Sequence, residues 1–166
     1  MTKLLLSLHV LASIVAIGPI TVAASMFPRF VRPAPREGGA RTAAGAALLH
    51  RICRGYTVVA AAVPVLGVAT GARMGVLGDA WLIASIVLTA VAAALLLLSI
   101  LPAQERLLAV TDADASGDDA TTGAALSSRA ATHSSARLAM TTGVFNLLWA
   151  TVVVLMIVRP GSTTGA

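Results

Sequence analysis

The chain has 166 residues, of which 57% are hydrophobic and only 11% charged, with a formal net charge of +5. A soluble domain carries roughly 25% charged residues, so this composition excludes a water-soluble globular fold. The arginine surplus does not indicate nucleic acid, because the basic residues lie in linkers and not in a patch with interleaved aromatics, and a single cysteine, Cys53, excludes an internal disulfide.

Four uncharged stretches dominate, at residues 4–28, 55–72, 80–101 and 138–158. Each suits a helix crossing a hydrocarbon core of roughly 30 Å, which takes roughly 17 to 25 residues. The expected fold is all-α, a four-helix transmembrane bundle forming one membrane domain over residues 1–166, because the linkers are too short for a separate soluble domain.

The first stretch follows Lys3 and contains the small-residue run Val22-Ala23-Ala24-Ser25, as a cleaved signal would. It is longer than a signal core of about 7–15 residues and is interrupted by Gly18-Pro19, so it reads as a retained span. His9 lies two turns into it, flanked by Ser7 and Ser13.

The linker that follows carries Arg29, Arg32, Arg36, Arg41, Arg51 and Arg54 against one acid, Glu37. Basic linkers stay cytoplasmic, which predicts an N-out, C-out protein with nine basic residues inside and three outside. Those six arginines are also candidate contacts for anionic lipid headgroups, at about 1 kcal/mol per basic residue near the surface. Pro33 and Pro35 keep the linker's start extended. From about Gly38 an alanine- and leucine-rich run leads without proline into the second span, predicting helix beyond the membrane. Cys53 reads as a small interfacial residue, with S-palmitoylation as the alternative.

In the second span, Pro64 removes a backbone hydrogen bond and predicts a kink, as Pro19 does in the first. Gly67 and Gly71 form a small-residue pair, as do Ala80 and Ala84 in the third span, suiting close helix contacts within the bundle or between copies. The third span offers only the hydroxyls of Ser85, Thr89 and Ser99.

The linker at about 103–126 reads as mobile and cytoplasmic, since residues 111–123 lack an apolar period. Residues 112–118 reproduce the first half of an EF-hand loop, but Gly123 stands where the bidentate Glu belongs, so a solvated acidic loop is expected. Residues 127–137 predict a helical extension into the fourth span, where Asn146 lies centrally.

Polar groups at membrane depth are where function is sought. No span holds a carboxylate, which argues against a carboxylate proton relay, and no nucleophile–base–acid set is visible. One Cys and three His build neither a zinc nor an iron–sulfur site. A membrane histidine can be an axial ligand of haem b. His50 and His133 precede the second and fourth spans, at the opposite face from His9, so a second ligand of His9 would have to be a methionine, Met156 or, in the outer linker, Met74. The alternative is a histidine hydrogen-bonded to a neighbouring helix.

The segments Leu8-His9-Val10-Leu11-Ala12 and Met26-Phe27-Pro28-Arg29-Phe30, the Trp81-Leu82 start of the third span, and the close from Val144-Phe145-Asn146 to Met156-Ile157-Val158-Arg159-Pro160 resemble the CopD-like group of small membrane proteins. That group includes copper-resistance CopD proteins, HemJ-type protoporphyrinogen oxidases and an uncharacterised family of predicted integral membrane proteins. The resemblance gives His9 the place of the first-helix haem histidine of HemJ-type proteins and Asn146 that of the polar residue in their last helix. It departs after Trp81, where Leu82, Ile83, Ala84 and Ser85 replace the basic residue of the HemJ type. Met26, Met74, Met140 and Met156 are scattered and Cys53 is alone, which leaves copper(I) without a clustered soft-ligand set. The uncharacterised membrane proteins of the group are therefore the expected relatives.

Three functional expectations follow in order: a non-catalytic accessory or scaffold subunit of a membrane complex, or a self-associating one; a haem- or porphyrin-binding redox protein using His9, with Met156 and Asn146; and a small transporter, for which Pro19 and Pro64 are the only motive. The alanine-, glycine-, valine- and arginine-rich usage fits a bacterial plasma membrane.

Overall fold

The computed structural model describes the backbone of residues 2–31, 39–115 and 121–161, and the side chains of residues 2–31, 41–110 and 132–161. Arg32, Pro33, Pro35 and Arg36, and Gly117 and Asp118 of the acidic stretch, lie outside the described residues. The elements are α1 (Thr2–Phe30), α2 (Gly39–Ala60), α3 (Ala62–Met74), α4 (Ala80–Leu95), a π turn (Leu96–Ile100), α5 (Leu101–Ala115) and α6 (Thr121–Val158). They make four rods, α1, α2–α3, α4–π–α5 and α6, each long and apolar enough to cross a membrane.

Two rods contain irregularities with a local cause. Pro64 has no N–H for the carbonyl of Ala60. The helix is interrupted there: Ala61 N–H bonds back to Val58 O at 3.3 Å before α3 resumes. Pro102 likewise has no N–H for the carbonyl of Leu98, and the turn ahead of it widens, with Leu101 N–H bonding Leu96 O. At Pro19, by contrast, α1 runs on.

The widened turn corrects two sequence expectations. The helix of the third span does not end at residue 101, because the π turn absorbs Pro102 and the helix continues to Ala115. The linker expected over 103–126 is helical to Ala115 and again from Thr121, so the backbone of residues 112–115 is helix where a half EF-hand loop was considered. The predicted helical extensions into the second and fourth spans are present as the first parts of α2 and α6.

α6, with 38 residues, measures about 57 Å at 1.5 Å per residue, well beyond a hydrocarbon core of roughly 30 Å. Its excess, with those of α2 and α5, lies at one end of the bundle, because Met74, Ala80 and Val158 close the other. The exposed Arg29, Arg51, Arg54, Arg106 and Arg137 bring one or more arginines from every rod to the first end, called here the arginine end.

Packing is densest toward that end. Ile20, Ala23, Ala24, Phe27 and Val31 make a helical stripe on α1 that packs with Ala46 and Cys53 of α2, Leu96 and Ile100 of the π turn, Leu107 of α5, and Leu138 and Phe145 of α6. Large apolar side chains such as Val58, Leu98, Met140 and Ile157 point outward instead, as they must in lipid.

At the other end, α3 closes on Gly75 at φ 72°, a left-handed position that glycine takes without a Cβ clash. Asp79 starts α4, and its carboxylate accepts the Trp81 indole N–H at 3.0 Å. The Arg159 guanidinium lies 5.7 Å from the Trp81 ring centre, joining the ends of α4 and α6.

Close approach is bought with glycine at three points. A Cβ on Gly45 would lie 2.5 Å from the Phe30 ring, on Gly67 3.0 Å from His9 Cε1, and on Gly71 2.8 Å from Leu82. The Gly67/Gly71 pair is thus used inside the bundle, whereas Ala80 and Ala84 face outward.

These contacts predict opposite signs for two like substitutions. Alanine gains about 1 kcal/mol over glycine in a helix, and Gly143→Ala, with nothing within 4 Å, should keep that gain. Gly45→Ala should lose it to overpacking of about 1–3 kcal/mol. Thermal unfolding in one detergent checks this; an upward shift for both variants would refute the Phe30 contact.

Candidate functional site

Three contacts fix α1 against the α2–α3 rod in antiparallel register. Phe30 packs on Gly45, Cys53 Sγ reaches Ile20 O at 3.9 Å, and His9 Nδ1 lies 3.0 Å from Val63 O. Descending α1 while ascending its partner, they set the height of every polar group in the bundle.

At the arginine end the structure assembles a buried polar chain between α2 and α5. His50 Nδ1 lies 3.0 Å from Gln104 Oε1, and since a carbonyl oxygen only accepts, Nδ1 carries the proton. The Gln104 amide then donates through Nε2 to Cys53 Sγ at 3.7 Å, and the Cys53 thiol donates to Ile20 O. Gln104 and Cys53 are fully buried, at 0% exposure. The other ring nitrogen, His50 Nε2, faces Glu105 Oε1 at 3.7 Å, with Glu105 mostly in solvent. This chain can hold three helices in one register, and it connects a buried thiol to an exposed carboxylate through an amide and an imidazole.

Cys53 is accordingly an interior residue, and its sulfur faces α1 and Gln104 where S-palmitoylation would need it facing lipid. Neither Gln104 nor Glu105 stood out in the sequence. A signal existed: Ile100, Gln104 and Leu107 fall at i, i+4 and i+7, so the amide interrupts an apolar stripe on one helix face.

At the opposite end, the His9 imidazole spans from α1 to α3, donating Nδ1–H to Val63 O and lying against Gly67. This is the expected histidine hydrogen-bonded to a neighbouring helix, and it leaves the Nε2 lone pair unspent in that bond. Asn146 donates through Nδ2 to Ser25 Oγ at 3.1 Å, which registers α6 against α1. His9 lies sixteen residues before Ser25 on α1, so it stands about 24 Å in height from Asn146. The same register places Met156 about 9 Å in height from His9. Asn146 therefore does not stand at the height of His9. His50 lies roughly 21 Å in height from His9, so those two do not share an iron. His133 is exposed near the start of the described side chains of α6, and Met74 closes α3 at the far end.

Several hydroxyls bond within their own helix. Ser13, Thr57, Thr70, Ser85, Thr141 and Thr151 each donate to the carbonyl four residues back. Among the described residues no group of three or more His, Cys, Asp or Glu could hold a metal ion.

The chain from His50 to Cys53 generates a prediction. Gln104→Leu leaves the buried His50 N–H without an acceptor, which costs about 1–3 kcal/mol. Gln104→Glu keeps an acceptor and should cost less. Equal losses for the two in detergent unfolding would count against the hydrogen-bonded chain.

No curated protein and no solved structure matches the chain. A family model described as predicted integral membrane protein (DUF2269) matches residues 3–160. That match over nearly the whole length, in keeping with four rods apolar enough to cross a membrane, places this chain in that family of predicted integral membrane proteins.

Proposed function

We propose that the protein is a non-catalytic accessory subunit of a larger membrane assembly, engaging its partner through the helical head at the arginine end. The observation that supports this reading is the continuity of α2, α5 and α6 from the spans into that head. Beyond the charge-free stretches, α2 and α6 prolong by about 25 Å and α5 by about 20 Å. Ala46, Leu107, Leu138 and Phe27 pack at its base, and the His50–Gln104–Cys53 chain locks it. A head joined to its anchor by unbroken helix transmits position and orientation, which suits a scaffold.

The arginine bias supports an N-out, C-out arrangement with the head in the cytoplasm of a bacterium, its rim in contact with anionic lipid headgroups. The test is affinity purification of the full chain from its native membrane in mild detergent. A larger assembly with a defined partner is expected, and Arg106→Glu with Arg137→Glu, both exposed, should weaken partner retention severalfold without loss of the folded protein. A particle holding only this chain, or retention unmoved by charge reversal, sinks the reading.

The His9 tautomer favours a second reading, haem b held by one axial bond from Nε2, with the Nδ1–H to Val63 O orienting the ring as such bonds do for ligating histidines. Its prediction is a Soret band in protein from native membrane that disappears in His9→Ala and persists in Met156→Leu. A featureless visible spectrum on haem supplementation ends that reading.

A further inference from the structure

On the outer side of α2, where the rod passes from head into span, Arg51, Ile52, Gly55, Tyr56 and Val59 line a groove of about 300 Å³. Two rows of side chains build it. Ile52 and Tyr56 form one wall and are rooted in the core. Arg51, Gly55 and Val59 fall four apart along the other, so that row is lowered in its middle by the missing side chain of Gly55.

Packing inside the bundle does not require that glycine. A Cβ on Gly55 would meet nothing within 4 Å, whereas Gly45, Gly67 and Gly71 are each pressed by a side chain. Glycine weakens a helix interior, and no contact within the chain offsets the weakening here. Gly18 and Gly143 are equally open, but of the three only Gly55 has two arginines within four residues, Arg51 and Arg54.

Both arginines are exposed, and three residues apart they share a helix face. Among the described residues the ion pair at this end joins His50 and Glu105, and neither guanidinium has a carboxylate partner. Arg51 stands about 6 Å in rise beyond Gly55, the first residue of the charge-free stretch. That height falls within a headgroup layer of about 5–7 Å on each side of the hydrocarbon. In the other direction the groove runs inward along Val59, and the exposed Val58 and Ala62 continue its face.

We infer that this groove holds one anionic glycerophospholipid per chain, its phosphate accepting from the Arg51 and Arg54 guanidiniums and one acyl chain lying over Gly55 between Tyr56 and Val59. The inference rests on reading the arginine rim as facing anionic headgroups, and it turns that general attraction into one site. Charge selects the lipid, because two guanidiniums without counter-charges favour a net negative headgroup over a zwitterion that brings its own cation. Shape selects the acyl chain. The groove is apolar inward of Arg51, open to lipid, and lowered by one side chain, which fits a single hydrocarbon chain. A partner helix about 10 Å across would be held off it by the protruding Val58 and Val59.

The experiment strips the full chain of lipid in detergent, adds phosphatidylglycerol or phosphatidylcholine, and reads native mass spectra and thermal unfolding. One phosphatidylglycerol should remain per chain and raise the unfolding temperature, as a ligand of the folded state does. Phosphatidylcholine at the same concentration should do neither. Arg51→Gln with Arg54→Gln should cut the retained fraction tenfold or more. Gly55→Leu, which fills the groove and leaves every charge in place, should cut it as far, and without lipid it should unfold no lower than the unaltered chain. Arg41→Gln with Arg137→Gln removes the same charge from the head and should leave retention within twofold.

Equal losses from the two arginine pairs mean diffuse attraction and overturn the site. Equal retention of phosphatidylcholine overturns the role of the arginines, and retention unmoved by Gly55→Leu overturns the groove. Should that variant fold poorly, Gly55→Ala narrows the groove by one methyl and should weaken retention severalfold. A co-purified protein lost from Gly55→Leu while lipid stays bound means that the face docks a partner, and overturns the proposal as well. The accessory-subunit reading fails separately, through the charge reversals at Arg106 and Arg137.

Discussion

Inside a bilayer two apolar helix faces gain nothing by leaving lipid for one another, so association needs close approach or a polar bond. The contacts along α1 supply both. Phe30 sits over the bare backbone of Gly45, Cys53 reaches Ile20 O, and His9 spans to Val63 O across the notch of Gly67. Spaced along nearly the whole of α1, they favour a single register, because a slip of one turn would set Phe30 against Arg41 or Leu49 instead of glycine backbone. The heights of the remaining polar groups follow from that register. The same constraint separates His9 from Asn146 and brings Cys53 beneath Gln104.

The packing is uneven for a physical reason. Where the rods leave the bilayer at the arginine end, water restores the hydrophobic driving force, and there the large buried side chains Phe27, Ile100, Leu107 and Leu138 collect. Farther from that end, the interior is made of smaller groups such as Ala16, Gly71 and Ser85, with Val63, Trp81, Leu82 and Val152 among them. The buried interior thus mixes large and small side chains at both ends, and the rods that carry it are broken at Pro64 and at the π turn between.

The four spans were legible because a charge-free run of about twenty residues has one stable fate in lipid. Gly67 and Gly71 were legible as contact points, and His9 as a helix-bridging histidine. The sequence did not reveal that α5 exists. Pro102 after a long apolar stretch reads as a stop, and only the wider π turn lets the chain pass it without losing helix. Because α5 was hidden, so was Gln104, and without Gln104 both His50 and Cys53 read as residues of an interface. Asn146 was legible as polar at depth, yet its partner Ser25 was not, since a pairing 121 residues apart in sequence depends on a register that no local pattern encodes.

The same hidden turn ties the two ends of the third rod together. Leu96 opens the π turn and Gln104 bonds His50 of α2, and about 12 Å of helix rise separates them. A π turn carries one residue more per turn than the flanking helix, so converting it to regular helix rotates everything beyond it by about 100°. That rotation would turn Gln104 away from His50 and Cys53. The buried chain therefore holds the π turn in place as much as Pro102 does, because Pro102 forbids one regular hydrogen bond while Gln104 fixes the rotational phase of α5 against α2.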